Sequence, residues 1–87
     1  MHYIRLLQKA SRDLAKLDKP IARRVVRRLQ WLAENLDQSR SEKLTGGLAG
    51  LYKLRVGDYR VVYQIICEEQ VILVHAIGHR REVYDQQ

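Results

Sequence analysis

The stretch from residue 51 to residue 63, LYKLRVGDYRVVY, decides the fold of this 87-residue chain. It contains parts of two β-like runs, Leu51–Val56 and Tyr59–Cys67, which flank Gly57-Asp58, a dipeptide typical of tight hairpin turns. A third run, Val71–Ile77, follows a second polar turn. The carboxy-terminal half therefore predicts three antiparallel strands.

The hairpin turn also predicts which side chains share a face of the sheet. If Val56 and Tyr59 close the turn, Arg55 lies opposite Arg60, and Lys53 shares their face because side chains alternate along a strand. The other face is expected to pack under helices, since it carries Tyr52, Leu54, Val56, Tyr59, Val61 and Tyr63.

The amino-terminal half predicts one strand and two helices. A short apolar run at residues 3–7 indicates the strand, and apolar residues at helical spacing indicate a first helix over Gln8–Leu17. A second helix is predicted over Pro20–Leu36, because proline suits a first helical turn and Asp18 is placed to cap it. Residues 37–50 have the composition of a loop.

This order of elements, β-α-α-β-β-β, predicts a single two-layer α+β domain over residues 1–87. The N-terminal strand and the helical hairpin are expected to pack on an antiparallel sheet. The other face of that sheet stays open at least in part, and it carries the basic residues Lys53, Arg55 and Arg60.

Composition and charge narrow the class of protein. The net charge is +6, and residues 9–28 alone hold eight basic and two acidic residues. Such a balance favours nucleic acid or another acidic partner. With Cys67 as the single cysteine, an internal disulfide is excluded, which fits a reducing cytosol. No run is apolar enough for a signal peptide or a membrane span, so we expect a soluble cytoplasmic protein without a membrane partner.

The basic hairpin face has two interpretations. Opposed arginines repel, so folding alone gives no reason to place Arg55 against Arg60, whereas binding a phosphate backbone does. The alternative is a solvated face of flexible cations. The tail favours the first interpretation, because we expect Gly78 to end the last strand near the hairpin turn. The tail after Gly78 would then bring His79, Arg80, Arg81 and Tyr84 close to Lys53, Arg55 and Arg60.

The second predicted helix carries four arginines away from its apolar stripe, namely Arg23, Arg24, Arg27 and Arg28. They form either a phosphate-binding surface or an ordinary solvated helix face. Trp31, between Leu29 and Leu32, is expected to pack against the rest of the domain and not to stack on a base. A lone cysteine and the lack of a carboxylate cluster predict neither a metal site nor a cofactor.

Three segments together resemble the RelE/ParE toxin superfamily, and most closely its RelE branch. They are KLTG at residues 43–46, LYKLRVGDYRVVY at residues 51–63 and IGHRREVY at residues 77–84. The amino-terminal half matches by its pattern of elements alone. The resemblance implies a ribosome-dependent, metal-independent endoribonuclease that cleaves messenger RNA in the ribosomal A site and so inhibits translation. The ribose 2′-hydroxyl would attack the adjacent phosphate.

The resemblance also implies the site. The positions that match the family's catalytic residues are Lys53, Arg55, Arg60, Arg80 and Tyr84, and His79 falls where related toxins carry a basic or imidazole group. The residues expected to bind RNA are Lys43, Arg81 and the helix arginines Arg23, Arg24, Arg27 and Arg28. Many members carry lysine where this chain has Arg55, so an electrostatic role suits Arg55. The general base stays open between Lys53 and His79.

A toxin of this kind implies a cognate antitoxin protein, the ribosome and messenger RNA as partners, with operator DNA bound only through the antitoxin complex. Two other functions fit the same fold. One is a ParE-like inhibitor of DNA gyrase, which needs no nucleolytic cluster. The other is a non-enzymatic nucleic-acid-binding module built on the basic helix.

Overall fold

The computed structural model describes residues 2–35, 42–43 and 50–79, with the backbone alone at 42–43. The elements are β1 (Tyr3–Leu6), α1 (Gln8–Lys16), α2 (Lys19–Asn35), β2 (Glu42–Lys43), β3 (Tyr52–Val56), β4 (Tyr59–Ile66) and β5 (Val71–His79). The predicted order is confirmed, with β2 added inside the segment predicted as a loop. Two residues carry too little pattern to be recognised as a strand, and β2 depends on its partner β3.

The strands form one mostly antiparallel sheet in the order β1-β5-β4-β3-β2. β3, β4 and β5 follow one another as antiparallel neighbours, as predicted, and β1 lies parallel to β5. The two helices carry the chain from β1 at one edge of the sheet to β2 at the other. They pack on one face, which confirms the two-layer α+β architecture.

The predicted register of the hairpin is confirmed. Val56 pairs with Tyr59 and Arg55 pairs with Arg60 across the turn. Gly57 has a φ of +61°, in the left-handed region that glycine adopts at little cost, which explains why the turn forms here. The prediction that Gly78 ends the last strand is wrong. Gly78 pairs with Arg60 inside the β4–β5 ladder, because β4 extends far enough to bind two further residues of β5.

The core lies between the helices and the sheet. Val25, Leu29 and Leu32 face it from α2, which confirms the apolar stripe predicted for that helix. The hairpin face predicted to pack under helices supplies Leu54, Val56, Val61 and Tyr63, and its Tyr52 packs against their cluster. The ring of Tyr52 stacks on that of Tyr63 with 5.7 Å between the centroids.

α1 covers the edge of β5 where β1 has ended. The ladder between β1 and β5 runs to Leu6, and Leu7 N then donates to the carbonyl of Val74 over 2.9 Å. Farther along β5, the backbone N–H of Ile77 donates to Asp13 Oδ2 over 3.0 Å. A carboxylate of α1 thus replaces a neighbouring strand as the acceptor at this edge. No helix in the described part of the chain is long and apolar enough to span a membrane.

Candidate nucleic-acid interface

Lys53, Arg55 and Arg60 lie on the sheet face that the helices do not cover, as the register predicted. We call these three residues the basic face. Their exposure differs, since Arg55 is exposed, Lys53 is half-buried and Arg60 retains only 6% of its accessible surface. Arg60 therefore does not fit the interpretation of a solvated surface of flexible cations, whereas the exposed Arg55 does.

The guanidinium of Arg60 is held against the hairpin turn. Its Nη1 atom donates to the carbonyl of Tyr59 over 3.2 Å and approaches that of Gly57 at 3.4 Å. Burying a guanidinium costs free energy that backbone carbonyls offset in part. What the arrangement provides is a permanent positive charge at a fixed position.

A small apolar cluster accompanies Arg60 on the same sheet face. Val62 is buried there and packs with Leu51 and Ala76. Gly78 is the cross-strand neighbour of Arg60 and adds no side-chain bulk beside it. Apolar surroundings exclude water, so an anion that contacts Arg60 would interact with it more strongly than it would in bulk solvent.

The structure places His79 on the opposite face of the sheet. His79 pairs with Tyr59, one position beyond the Arg60–Gly78 pair, and consecutive residues of a strand point to opposite faces. Its ring contacts that of Tyr59 edge to face, with centroids 5.6 Å apart. His79 does lie beside the hairpin turn, but the expectation that it joins Lys53, Arg55 and Arg60 is wrong, because β5 continues through it.

His79 instead lines a cleft of about 770 Å³ between α1 and β5, which we call the α1/β5 cleft. The lining includes Lys9, Arg12 and Lys16 of α1, and Asp13, which accepts from Lys9 Nζ over 2.9 Å. Sequence reasoning missed this cleft. The signal available was the helical spacing of Lys9, Arg12, Asp13 and Lys16, which places all four on neighbouring positions of one helix surface.

Three arginines of α2 meet the hairpin at a second concavity of about 350 Å³, which we call the arginine pocket. Its lining consists of Arg24, Arg27, Arg28, Arg55, Val56 and Gly57. The Arg24 guanidinium lies against the turn, with Nη2 3.4 Å from the position that a Cβ atom on Gly57 would occupy. Arg23 does not line this pocket and instead lines a separate shallow concavity with Ala22, Val26 and Arg27, so Arg27 borders both.

Trp31 is 45% exposed, so the prediction that it packs into the domain is wrong. The Arg28 guanidinium carbon lies 5.1 Å from the centroid of its ring, a cation–π contact. Trp31 thus restrains one of the arginines that line the arginine pocket. The apolar stripe alone did not predict this contact, although the spacing of three residues between Arg28 and Trp31 makes them neighbours on the helix surface.

Arg80, Arg81, Tyr84 and the side chain of Lys43 lie outside the described residues. Within residues 2–35 and 50–79, no three His, Cys, Asp or Glu side chains are grouped as a metal site requires. The described geometry therefore unites Lys53, Arg55 and Arg60, and it links Arg55 to Arg24, Arg27 and Arg28. His79 lies apart from both groups, and Arg23 adjoins the second only through Arg27.

Comparison with known proteins gives this architecture a family. Residues 4–84 match the model of the ParE toxin of type II toxin–antitoxin systems, parDE. A RelE-like toxin protein of Escherichia coli is 33% identical over 97% of this chain and 90% of its own length. This fold with a basic hairpin face thus belongs among the toxins of type II toxin–antitoxin systems.

Solved structures agree with this class. One chain of the toxin–antitoxin complex RelBE2 from Mycobacterium tuberculosis is 30% identical, with a TM-score of 0.80 over 91% of this chain and 98% of its own. One chain of the intact Escherichia coli RelBE complex is 27% identical, with a TM-score of 0.75 over 91% of this chain and 96% of its own. The chain belongs to the RelE/ParE superfamily of toxins.

Proposed function

We propose that this chain is the toxin of a type II toxin–antitoxin system that cleaves messenger RNA in the ribosomal A site. The observation that supports cleavage is the basic face, where Arg60 is buried and held by the turn beside Arg55 and Lys53. A guanidinium held at one position beside two other basic residues suits a phosphate whose negative charge increases during cleavage.

The proposed reaction uses no metal. The ribose 2′-oxygen attacks the adjacent phosphorus, its proton passes to a base, and the 5′-oxygen leaves with a proton. The products are a 2′,3′-cyclic phosphate and a 5′-hydroxyl. Arg60 and Arg55 stabilise the negative charge that builds up on the phosphorane, because both stay charged and donate to two oxygens at once.

Lys53 is the proposed general base, because its amine lies on the same face of the sheet as Arg55 and Arg60. His79 is the less suited of the two candidates, since its ring lies on the other face. Arg80 and Tyr84 are proposed to serve the leaving group or to stack on the base. Their roles rest on the family resemblance.

The proposed partners follow from the same class. Lys43, Arg81 and the arginines of α2 would contact RNA through charge and carry no base specificity. The Mycobacterium tuberculosis and Escherichia coli relatives were solved as toxin–antitoxin complexes, which supports a cognate antitoxin for this chain. Operator DNA would be bound through that complex, and the site of action would be the cytoplasm, where ribosomes translate.

The test is primer extension on a defined messenger RNA in a purified translation system. Addition of the protein should produce new 5′ ends within codons, with message, ribosomes and protein all required. The Arg60→Ala variant, checked for folding by circular dichroism, serves as the inactive control. Translation that proceeds without cuts at saturating protein would refute the nuclease.

A second function is favoured by one observation, the match to the model of the ParE family. A ParE-like toxin would inhibit DNA gyrase. A supercoiling assay with purified gyrase distinguishes the two, because inhibition at protein concentrations that leave messenger RNA intact would assign the ParE activity. The basic face favours RNA cleavage.

A further inference from the structure

The arginine pocket gathers cations from two distant parts of the chain. Arg24, Arg27 and Arg28 come from α2 and Arg55 comes from β3, where β2 no longer covers the strand edge in the described structure. Within residues 2–35 and 50–79, none of the four has a carboxylate within 4.0 Å. Four guanidinium groups around one concavity repel one another, so folding alone does not account for the arrangement.

Two of the four side chains, although exposed, lie close to neighbouring groups. The guanidinium of Arg24 lies near Gly57, with its central carbon 3.9 Å from the position that a Cβ atom on that residue would occupy. Arg28 lies over the Trp31 ring at 5.1 Å. A side chain that is restrained before a ligand binds loses less conformational entropy on binding, and the smaller loss favours affinity.

We propose that the arginine pocket binds a phosphate of an RNA backbone, at a subsite apart from the bond that is cut. Guanidinium groups bind phosphate oxygens through paired N–H donors, and apart from Gly57 and Val56 the lining consists of arginines. Because such contacts carry no base information, the subsite adds affinity and orientation and leaves sequence preference unchanged.

The position of the pocket suits this role. Arg24 Nη2 lies 3.4 Å from the position that a Cβ atom on Gly57 would occupy, and the Gly57 carbonyl lies 3.4 Å from Arg60 Nη1. Arg55 belongs both to the basic face and to the pocket lining. A backbone bound in the pocket would therefore be aligned with the basic face through the hairpin turn. RNA as the ligand rests on the proposed function, whereas phosphate as the ligand follows from the pocket.

The first experiment tests the pocket without any cleavage. Inorganic phosphate is titrated into the full-length protein while the Gly57 amide and the Trp31 indole are followed by nuclear magnetic resonance, Trp31 being the single tryptophan. The wild type and an Arg5→Gln control should show both shifts, and Arg24→Gln should lose most of the shift at Gly57. Arg5 is exposed, and its removal takes away the same charge without altering the pocket lining.

The second experiment places the pocket in the reaction. In single-turnover cleavage on programmed ribosomes, Arg24→Gln and Arg28→Gln should each raise the ribosome concentration for half-maximal rate by roughly tenfold. The rate at saturation should stay within about twofold of the wild type, because the reacting groups are unchanged. The slope of log affinity against log salt should fall by about 1 for each variant.

Binding of the variants to ribosomes with and without messenger RNA shows which RNA supplies the phosphate. Weaker binding of the variants to vacant ribosomes assigns the phosphate to ribosomal RNA, and weaker binding to programmed ribosomes alone assigns it to the message. The proposal is overturned if Arg24→Gln and Arg28→Gln behave like Arg5→Gln in affinity, salt slope and phosphate shifts. If the wild-type protein does not cleave messenger RNA on ribosomes, the proposed function fails. The phosphate titration alone then tests whether the arginine pocket binds phosphate.

Discussion

The rings of Tyr59 and His79 meet edge to face, with centroids 5.6 Å apart and planes at 79°, on the side of the sheet that faces α1. The next cross-strand pair, Arg60 with Gly78, points to the opposite side. These two consecutive pairs separate the imidazole from the basic face, although only one position along the strand divides them. The separation bears directly on which group takes the 2′-hydroxyl proton.

Lys53→Ala should lower the rate of the chemical step by about a hundredfold or more, since a positioned general base contributes at least that much. His79→Ala should lower it by less than about tenfold, because its ring is on the other face. Single-turnover cleavage on programmed ribosomes measures both rates. A loss in His79→Ala equal to that in Lys53→Ala would move the base to His79.

Arg60 should contribute to activity at some cost to stability. Arg60→Met keeps most of the side-chain volume and removes a buried charge, so its free energy of unfolding should stay within about 1 kcal/mol of the wild type or exceed it. Arg60→Ala also leaves a cavity and should lose roughly 2 kcal/mol. Urea denaturation of both variants measures the difference.

Both Arg60 variants should lose at least about a hundredfold in cleavage rate, as expected when a donor to the transition state is removed. A variant that is as stable as the wild type and inactive assigns Arg60 to the reaction. If Arg60→Met instead unfolds as easily as Arg60→Ala, the contacts of the guanidinium with the turn stabilise the fold, and any loss of activity is an indirect effect.

The sequence predicted the parts of the fold that depend on local chemistry. Gly57-Asp58 allows one tight turn, and that turn fixes the register from Tyr52 to Tyr63. Alternation then predicts that Lys53, Arg55 and Arg60 share a face. The helices followed in the same way from their apolar stripe and from Pro20, with ends that agree within two residues.

What the sequence did not predict depends on contacts between distant segments. The strand that carries Gly78 and His79 is prolonged by pairing with β4, although glycine alone suggests an end. Arg60 is buried although the helices do not cover its face of the sheet, and the burial of a charged residue has no local signature. The arginine pocket requires α2 to reach the hairpin turn at Arg24, which no periodicity within the helix reveals.

Gly57 should tolerate no ordinary side chain without cost. Gly57→Ala places a Cβ atom at a φ of +61° and 3.4 Å from Arg24 Nη2, so we expect a loss of roughly 1–2 kcal/mol in the free energy of unfolding. Gly57→Asn should lose less, because asparagine adopts this conformation more readily. Thermal unfolding of the two variants compares them. Equal losses would show that the contact with Arg24, and not the backbone, sets the cost.

Asp13 should stabilise the fold far more than its ion pair suggests. Its Oδ2 atom accepts from the Ile77 backbone over 3.0 Å and from Lys9 Nζ over 2.9 Å. Asp13→Ala leaves a partly buried N–H of β5 unsatisfied and should cost roughly 1–3 kcal/mol in the free energy of unfolding. Asp13→Asn keeps an oxygen acceptor and should cost less.

The matched control is Lys9→Ala, which removes the exposed partner of the ion pair and leaves the bond to Ile77 in place. It should cost about 0.5 kcal/mol or less, as surface ion pairs generally do. Urea denaturation provides the three stabilities, and hydrogen exchange at the Ile77 amide shows which bond is lost. That amide should exchange faster in Asp13→Ala and at the wild-type rate in Lys9→Ala. Equal losses of stability in these two variants would show that the ion pair with Lys9 stabilises the fold. The bond from the Ile77 amide to the Asp13 carboxylate would then contribute nothing measurable.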